Sequence, residues 1–145
     1  MARFRRPTVV TLEWTDPFFA MGNWGTELVD IANGEPLLGR KGEDSAAIPA
    51  ELLRQADPEY LIVAPCGFNL ERTLRERAVL ERFPWWPKLQ AVRKRRVAFA
   101  DGNLFFNRSG MTASLTAEII AENAARRDLC SIDGRGSLAL AGIAS

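Results

Sequence analysis

Histidine is absent from these 145 residues. That absence removes Cys-His and Ser-His-Asp catalysis and the usual zinc sites in one step. Cysteine is scarce. Cys66 and Cys130 form no paired motif, nothing in the sequence argues for a disulfide, and two separated thiols are a poor start for a four-ligand metal site. We expect no metal and no required cofactor. An excess of either charge is also lacking, with 19 basic residues against 18 acidic. No face is therefore built mainly to neutralise nucleic-acid phosphates, and no nucleic-acid partner is expected. Two basic clusters, Arg3–Arg6 and Arg93–Arg96, read as a solvated end and a strand lead-in. No apolar run approaches a membrane span, and the N-terminus lacks the long apolar stretch of a signal peptide. As written, the chain is expected in the cytoplasm and not inserted in a membrane.

What is present is enough apolar material, 47% of the residues, for one substantial core. "TVVTLEW", Thr8 to Trp14, is a β-branched apolar run that predicts a buried strand. Asp16-Pro17 breaks it. Trp24, Leu28 and Ile31 then fall at helical spacing, and Gly34 stands where a helix end wants a left-handed residue. Residues 34–46 read as a polar connection. Pro49 suits the first turn of a second helix, "PAELLRQA", which stops at Asp57-Pro58. "EYLIVAP" predicts a strand from Tyr60 to Ala64, buried on both faces. Asn69 is placed to cap a helix with Leu70, Leu74 and Ala78 on one side. "FPWWP" ends that helix, "KLQAV" is a short helical piece, and "RRVAFAD" is the next strand. A last helix is predicted around Met111, Leu115 and Ile119. Residues 126–145 have weak periodicity and are expected to form a loosely ordered C-terminal tail, leaving 1–125 as a single α/β ligand-binding lobe.

Strands alternating with helices predict an α/β, Rossmann-like three-layer lobe with a mainly parallel central sheet. Loops after strand C-terminal ends gather on one edge of such a sheet, and ligands bind there. Three loops qualify, 14–23, 65–69 and 101–109. They offer Trp14, Asp16, Phe18, Phe19, Phe68, Phe105, Phe106 and Asn107 as ligand-binding candidates. That many loop aromatics would make a broad apolar floor, better suited to a large planar ligand or a protein partner than to a small anion. Trp24 lies on an apolar helix face and reads as core. Phe18 and Phe19 are adjacent, so one should point inward and the other outward, and the same holds for Phe105 and Phe106.

One stretch points elsewhere. "PCGFNLERT" places Cys66 five residues before Arg72-Thr73, the spacing of a cysteine-phosphatase loop. Such an enzyme needs a thiolate in a cradle of N–H groups, an arginine to clamp phosphate, and a carboxylic acid for the leaving oxygen. Asp16, Asp57 and Asp101 are the candidate acids. Against this, the loop has one glycine, Gly67, and an Asn69 cap would put Arg72 inside a helix. A cysteine-dependent phosphatase using Cys66 and Arg72 therefore stands as an alternative. A protein-interaction module with an apolar edge is another.

"WWPKLQAVRKRRVAFADGN" carries a Trp, Leu-x-Ala-Val, a basic turn, then Arg-Val and a strand ending in Asp. This resembles the C-terminal lobe of the class III periplasmic binding proteins, soluble receptors of ABC importers for vitamin B12, haem and iron siderophores. "RPTVVTLEWTDPFFAMGNWGTELVDIANGE" resembles that lobe's opening strand, ligand loop and first helix. "IPAELLRQADPEYLIVAPCGFNLERT" resembles the helix, Asp-Pro turn and strand that follow. The Glu-Trp-x-Asp-Pro and Pro-Cys-Gly-Phe pieces look most like the cobalamin branch. The resemblance covers roughly residues 7–122. It implies a ligand-binding protein and not an enzyme, with a large planar ligand such as a corrinoid at the loops after the strands, and it adds Asn103 to the ligand-binding candidates. It also implies that Glu51 falls near an acidic residue that docks onto a permease. A first-turn carboxylate favouring the helix dipole explains Glu51 equally well. No stretch of these 145 residues resembles the family's first lobe, spanning helix or export signal. Hence the ABC permease and a periplasmic location are expected only for a fragment of a longer receptor, and a homodimer is an alternative way to give the ligand a second wall.

Overall fold

The computed structural model describes residues 5–22, 24–100, 130–132 and 138–140. Its centre is β1, Thr8–Thr15, whose β-branched run is buried on both faces at Val9, Val10, Thr11 and Leu12. Parallel strands β5 (Tyr60–Val63) and β6 (Val97–Ala100) follow in order beside it, each wholly buried. The opposite edge of β1 is shared. β3 (Glu35–Pro36) runs parallel to its start, while β2 (Phe18–Ala20) returns antiparallel along its end and carries β4 (Ala46–Ile48) outside it. β7 (Cys130–Ile132) adds parallel to β6, and β8 (Leu138–Leu140) antiparallel to β7. The sheet order is β4-β2-β1-β5-β6-β7-β8, parallel at its centre and antiparallel at both flanks.

Two apolar clusters show the layering. Helix α1 (Trp24–Ile31) sets Leu28 and Val29 on Val9, Tyr60 and Ile62 on one face of the sheet. On the other face Val10, Leu12, Leu61, Val63, Val97 and Phe99 lie under residues from four elements. These are Leu53 of α2 (Ala50–Ala56), Leu80 of α3 (Leu70–Leu80), Trp86 of the 3-10 turn Trp86–Lys88, and Ala91 of α4 (Gln90–Arg93). This is the expected α/β lobe.

Buried polar groups fix the register. Glu59, 7% exposed, accepts from Thr8 N at 2.9 Å and from Arg5 Nη2 at 2.5 Å, and its own N–H donates to Thr8 Oγ1 at 3.0 Å. The start of β1 is thereby clamped to the start of β5. Asp57, left-handed at φ 40° after α2, accepts from Gln90 N at 2.7 Å and so satisfies a free amide at the start of α4.

Several local expectations are corrected. The left-handed residue after α1 is Asn33 at φ 65°, not Gly34. Gly34 is required by space, since a Cβ there would lie 2.9 Å from both Val29 Cγ1 and Val9 Cγ2. Ile31 is 72% exposed because α1 rests on Leu28 and Val29. On α3 the buried residues are Thr73, Glu76 and Leu80, whereas Leu74 and Ala78 are exposed. Pro49 is the N-cap of α2 and not its first turn, and the 34–46 connection contributes β3 and the first residue of β4. Within the stretch expected as a loose tail, Cys130–Ile132 and Leu138–Leu140 pair as strands, because the outer edge of β6 offers unpaired backbone groups to them. The helix expected around Met111, Leu115 and Ile119 lies outside the described residues.

Candidate functional site

The loops after β1 and β5 meet at one edge of the sheet. Pairing with β1 continues past the end of β5, through Ala64 N to Leu12 O at 2.9 Å and Cys66 N to Glu13 O at 3.0 Å. On its other side β1 slips register: Leu12 faces Ala20 and Trp14 faces Phe19, so Glu13 is the extra residue of a β-bulge. Bulges beside sites re-aim side chains. Here the result is a half-buried Trp14 whose ring meets Phe68 from the second loop, centroids 4.9 Å apart and planes tilted by 50°. Trp14 Nε1 donates to Asp16 O at 3.2 Å, which holds the indole against its own turn. The Asp16–Pro17 peptide in that turn is cis.

Beside the pair lies a shallow hollow of about 260 Å³ lined by Glu13, Trp14, Phe19 and Cys66. Glu13 does not stand free in it. Ser45 Oγ donates to its carboxylate while accepting from Gly22 N at 3.1 Å, which ties the hollow to the strand-β4 connection.

Behind Phe68 stands α3. Asn69 caps it as expected, its side chain accepting from Arg72 N at 2.9 Å, and Thr73 Oγ1 donates to Asn69 O at the same distance. The Arg72 guanidinium lies over the Phe68 ring, 4.3 Å from its centroid. Arg72 Nη1 also donates to Glu76 Oε1 at 2.5 Å, and Thr15 Oγ1 donates to the other oxygen of that buried carboxylate. The contacts close a ring, Trp14–Phe68–Arg72–Glu76–Thr15, that locks the two loops together.

The candidates divide accordingly. Trp14, Phe19 and Phe68 come together at the edge, and Asp16 is exposed in its turn. Phe18 is withdrawn from it: at 3% exposure it belongs to the core, its ring 5.4 Å from that of Phe83. Strand alternation sends Phe18 inward and Phe19 outward. Asn103, Phe105, Phe106 and Asn107 lie outside the described residues, as does Asp101. Of Trp24 only the helical backbone is described. Glu51 is exposed in the first turn of α2 and is already engaged: Arg54 Nε donates to it at 2.8 Å and Arg54 Nη2 grips its other oxygen. That hydrogen bonding holds the Glu51 carboxyl below the usual glutamate range.

The phosphatase geometry is not assembled. Cys66 is a free, exposed thiol, but Arg72 sits in α3 over Phe68 and against Glu76. Three N–H groups of this stretch are used internally, Cys66 N on Glu13 O, Phe68 N on Pro65 O at 3.1 Å and Arg72 N on Asn69 Oδ1 at 2.9 Å.

Sequence reasoning passed over Glu13, Thr15, Ser45 and Glu76. Two signals were there to find: a lone carboxylate inside an apolar strand, and Arg72 and Glu76 one helical turn apart.

Comparison with known proteins gives the following. The family model described as "Periplasmic binding protein" matches residues 3–104. No curated protein sequence matches. An ABC transporter substrate-binding protein from Listeria monocytogenes EGD-e superposes with a TM-score of 0.70 at 22% identity, over 82% of this chain and 47% of that one. S. aureus IsdE complexed with heme gives 0.71 at 17% identity, over 86% and 49%. The periplasmic vitamin B12 binding protein BtuF of Vibrio cholerae gives 0.60 at 12% identity, over 83% and 45%. At these identities the likeness is one of fold, and the chain spans less than half the length of each structure.

Proposed function

Because this chain belongs to the periplasmic binding protein family, as the match over residues 3–104 shows, we propose that it is a ligand-binding lobe whose working edge is the Trp14–Phe68 pair. The ligand is large and planar, a corrinoid in the first instance. The observation that carries this is the preorganised aromatic pair at the strand ends, braced by Arg72 and bordered by an open hollow. An aromatic pair held by its own neighbours loses little freedom when a ring system packs against it. The heme and vitamin B12 proteins that share the fold are consistent with a macrocyclic ligand.

A single edge covers one side of such a ligand. A second lobe, or a second copy of this chain, supplies the other wall. If the chain is a piece of a longer receptor, its place is periplasmic and its partner an ABC permease. Glu51 then docks by exchanging Arg54 for an arginine of the permease. No catalysis is assigned to Cys66.

The test is equilibrium dialysis against cobalamin. Trp14→Ala and Phe68→Ala each remove one half of the aromatic pair, and each should weaken binding about tenfold, on the order of 1.4 kcal/mol. Affinity unchanged in both variants would remove the edge from the binding site.

A further inference from the structure

Resting on that reading, we infer that the edge selects a planar ligand with a neutral, carboxamide-type rim over the same ring carrying carboxylates. Arg72 decides this preference, because its charge is compensated. Among the described residues its guanidinium is the cation that flanks the aromatic pair, with its side chain 46% exposed, and it would ordinarily mark an anion subsite. But Glu76, with its side chain 7% exposed, lies 2.5 Å from it. A buried carboxylate at that distance cancels the monopole and leaves the donors. Arginine carries five N–H groups, and only Nη1 is bonded to a carboxylate among the described residues. What remains is a fixed, nearly neutral donor array over Phe68, suited to amide carbonyl oxygens.

The other charges point the same way. Glu13 lines the hollow, and its described side-chain partner is the neutral hydroxyl of Ser45. Asp16, exposed in the adjoining turn, has no cationic partner among the described residues. Among the described residues a ligand lying on Trp14 therefore meets two uncompensated carboxylates and one compensated arginine. Carboxylates on its rim would be repelled, whereas carboxamides would be indifferent to the field and could accept from Arg72. Discrimination comes from the repulsive element as much as from the attractive one.

The experiment compares two corrins with the same ring, one bearing carboxamide side chains (dicyanocobinamide) and one bearing carboxylates (dicyanocobyrinic acid), by equilibrium dialysis with the full chain. The carboxamide corrin should bind at least about tenfold more tightly, and added salt should narrow the gap by strengthening carboxylate binding. Glu76→Gln unmasks the charge of Arg72 and should reduce the preference several-fold. Glu13→Gln should act in the same direction from the hollow side, without disturbing the interior of α3, and serves if Glu76→Gln does not fold. Equal or tighter binding of the carboxylate corrin by the wild type would overturn the selectivity while leaving the aromatic edge in place. So would a preference unmoved by Glu13→Gln. Failure of both corrins to bind would overturn the edge reading itself, and the selectivity with it.

Discussion

Replacing Thr11 by valine should stabilise this protein. Thr11 Oγ1 is the buried side-chain polar atom that has no hydrogen-bond partner among the described residues, in a residue 7% exposed at the centre of β1. Burying a hydroxyl without a partner costs about 1–3 kcal/mol by protein mutational data. Valine has the same branched shape, keeps the β preference of the strand, and adds a methyl worth about 0.8 kcal/mol of burial. Allowing for imperfect fit of that methyl, a gain of about 1–2 kcal/mol is expected. For a chain of this length that corresponds to a rise in Tm of about 3 °C per kcal/mol, so about 3–6 °C. Urea unfolding gives the cleaner reading: the midpoint should move up with an unchanged m-value. A midpoint that stays or falls would refute the reasoning and indicate a bound water holding the hydroxyl. Cobalamin affinity should not change, since Thr11 is not among the residues lining the hollow.

Further predictions concern local packing and charge. Gly39→Ala places a Cβ 2.1 Å from Met21 O, a backbone atom with no room to yield. Gly42→Ala meets nothing within 4 Å and pays only for its φ of +74°. The first should therefore destabilise by several kcal/mol and the second by about 1 kcal/mol, read by the same urea titration. Equal losses would contradict the packing of residues 39–45 against Met21 and Gly22. In a carboxyl-detected NMR titration Glu51 should ionise below the usual glutamate range, chiefly through its hydrogen bond from Arg54. The sign follows: a depressed carboxyl favours the folded chain at neutral pH, and that contribution disappears as pH falls through the depressed value. Arg54→Met should return Glu51 to the ordinary range. A wild-type carboxyl already titrating there would show that the pair does not persist in solution.

The order of strands and helices was legible because each strand is a dense apolar run and each helix is punctuated by Pro, Asn or Asp. Tyr60–Val63 and Val97–Ala100 are buried on both faces, so length and composition identify them without alternation. The face of α3 was not legible. Apolar spacing favoured Leu70, Leu74 and Ala78, but the helix buries Thr73 and Glu76, polar residues satisfied by Asn69 O and by Arg72 and Thr15. Hydrophobic periodicity assumes that buried means apolar, and a paired carboxylate defeats it. The bulge at Glu13 leaves no mark in sequence either, since it is a mismatch between two strands and belongs to neither alone. The aromatic pair was legible in part. Trp14 lies at the end of β1 and Phe68 follows β5, but that their rings touch depends on that bulge, and Phe18 showed that adjacency to a loop does not place a side chain in it.

The most direct measurement is gel filtration of the protein with cobalamin, following protein and corrin absorbance together with molecular mass. Corrin should travel with the protein and be lost from that peak in the Trp14→Ala, Phe68→Ala double variant. A wild-type peak without corrin, at monomer or dimer mass, would contradict the claim that this lobe binds such a ligand at its Trp14–Phe68 edge.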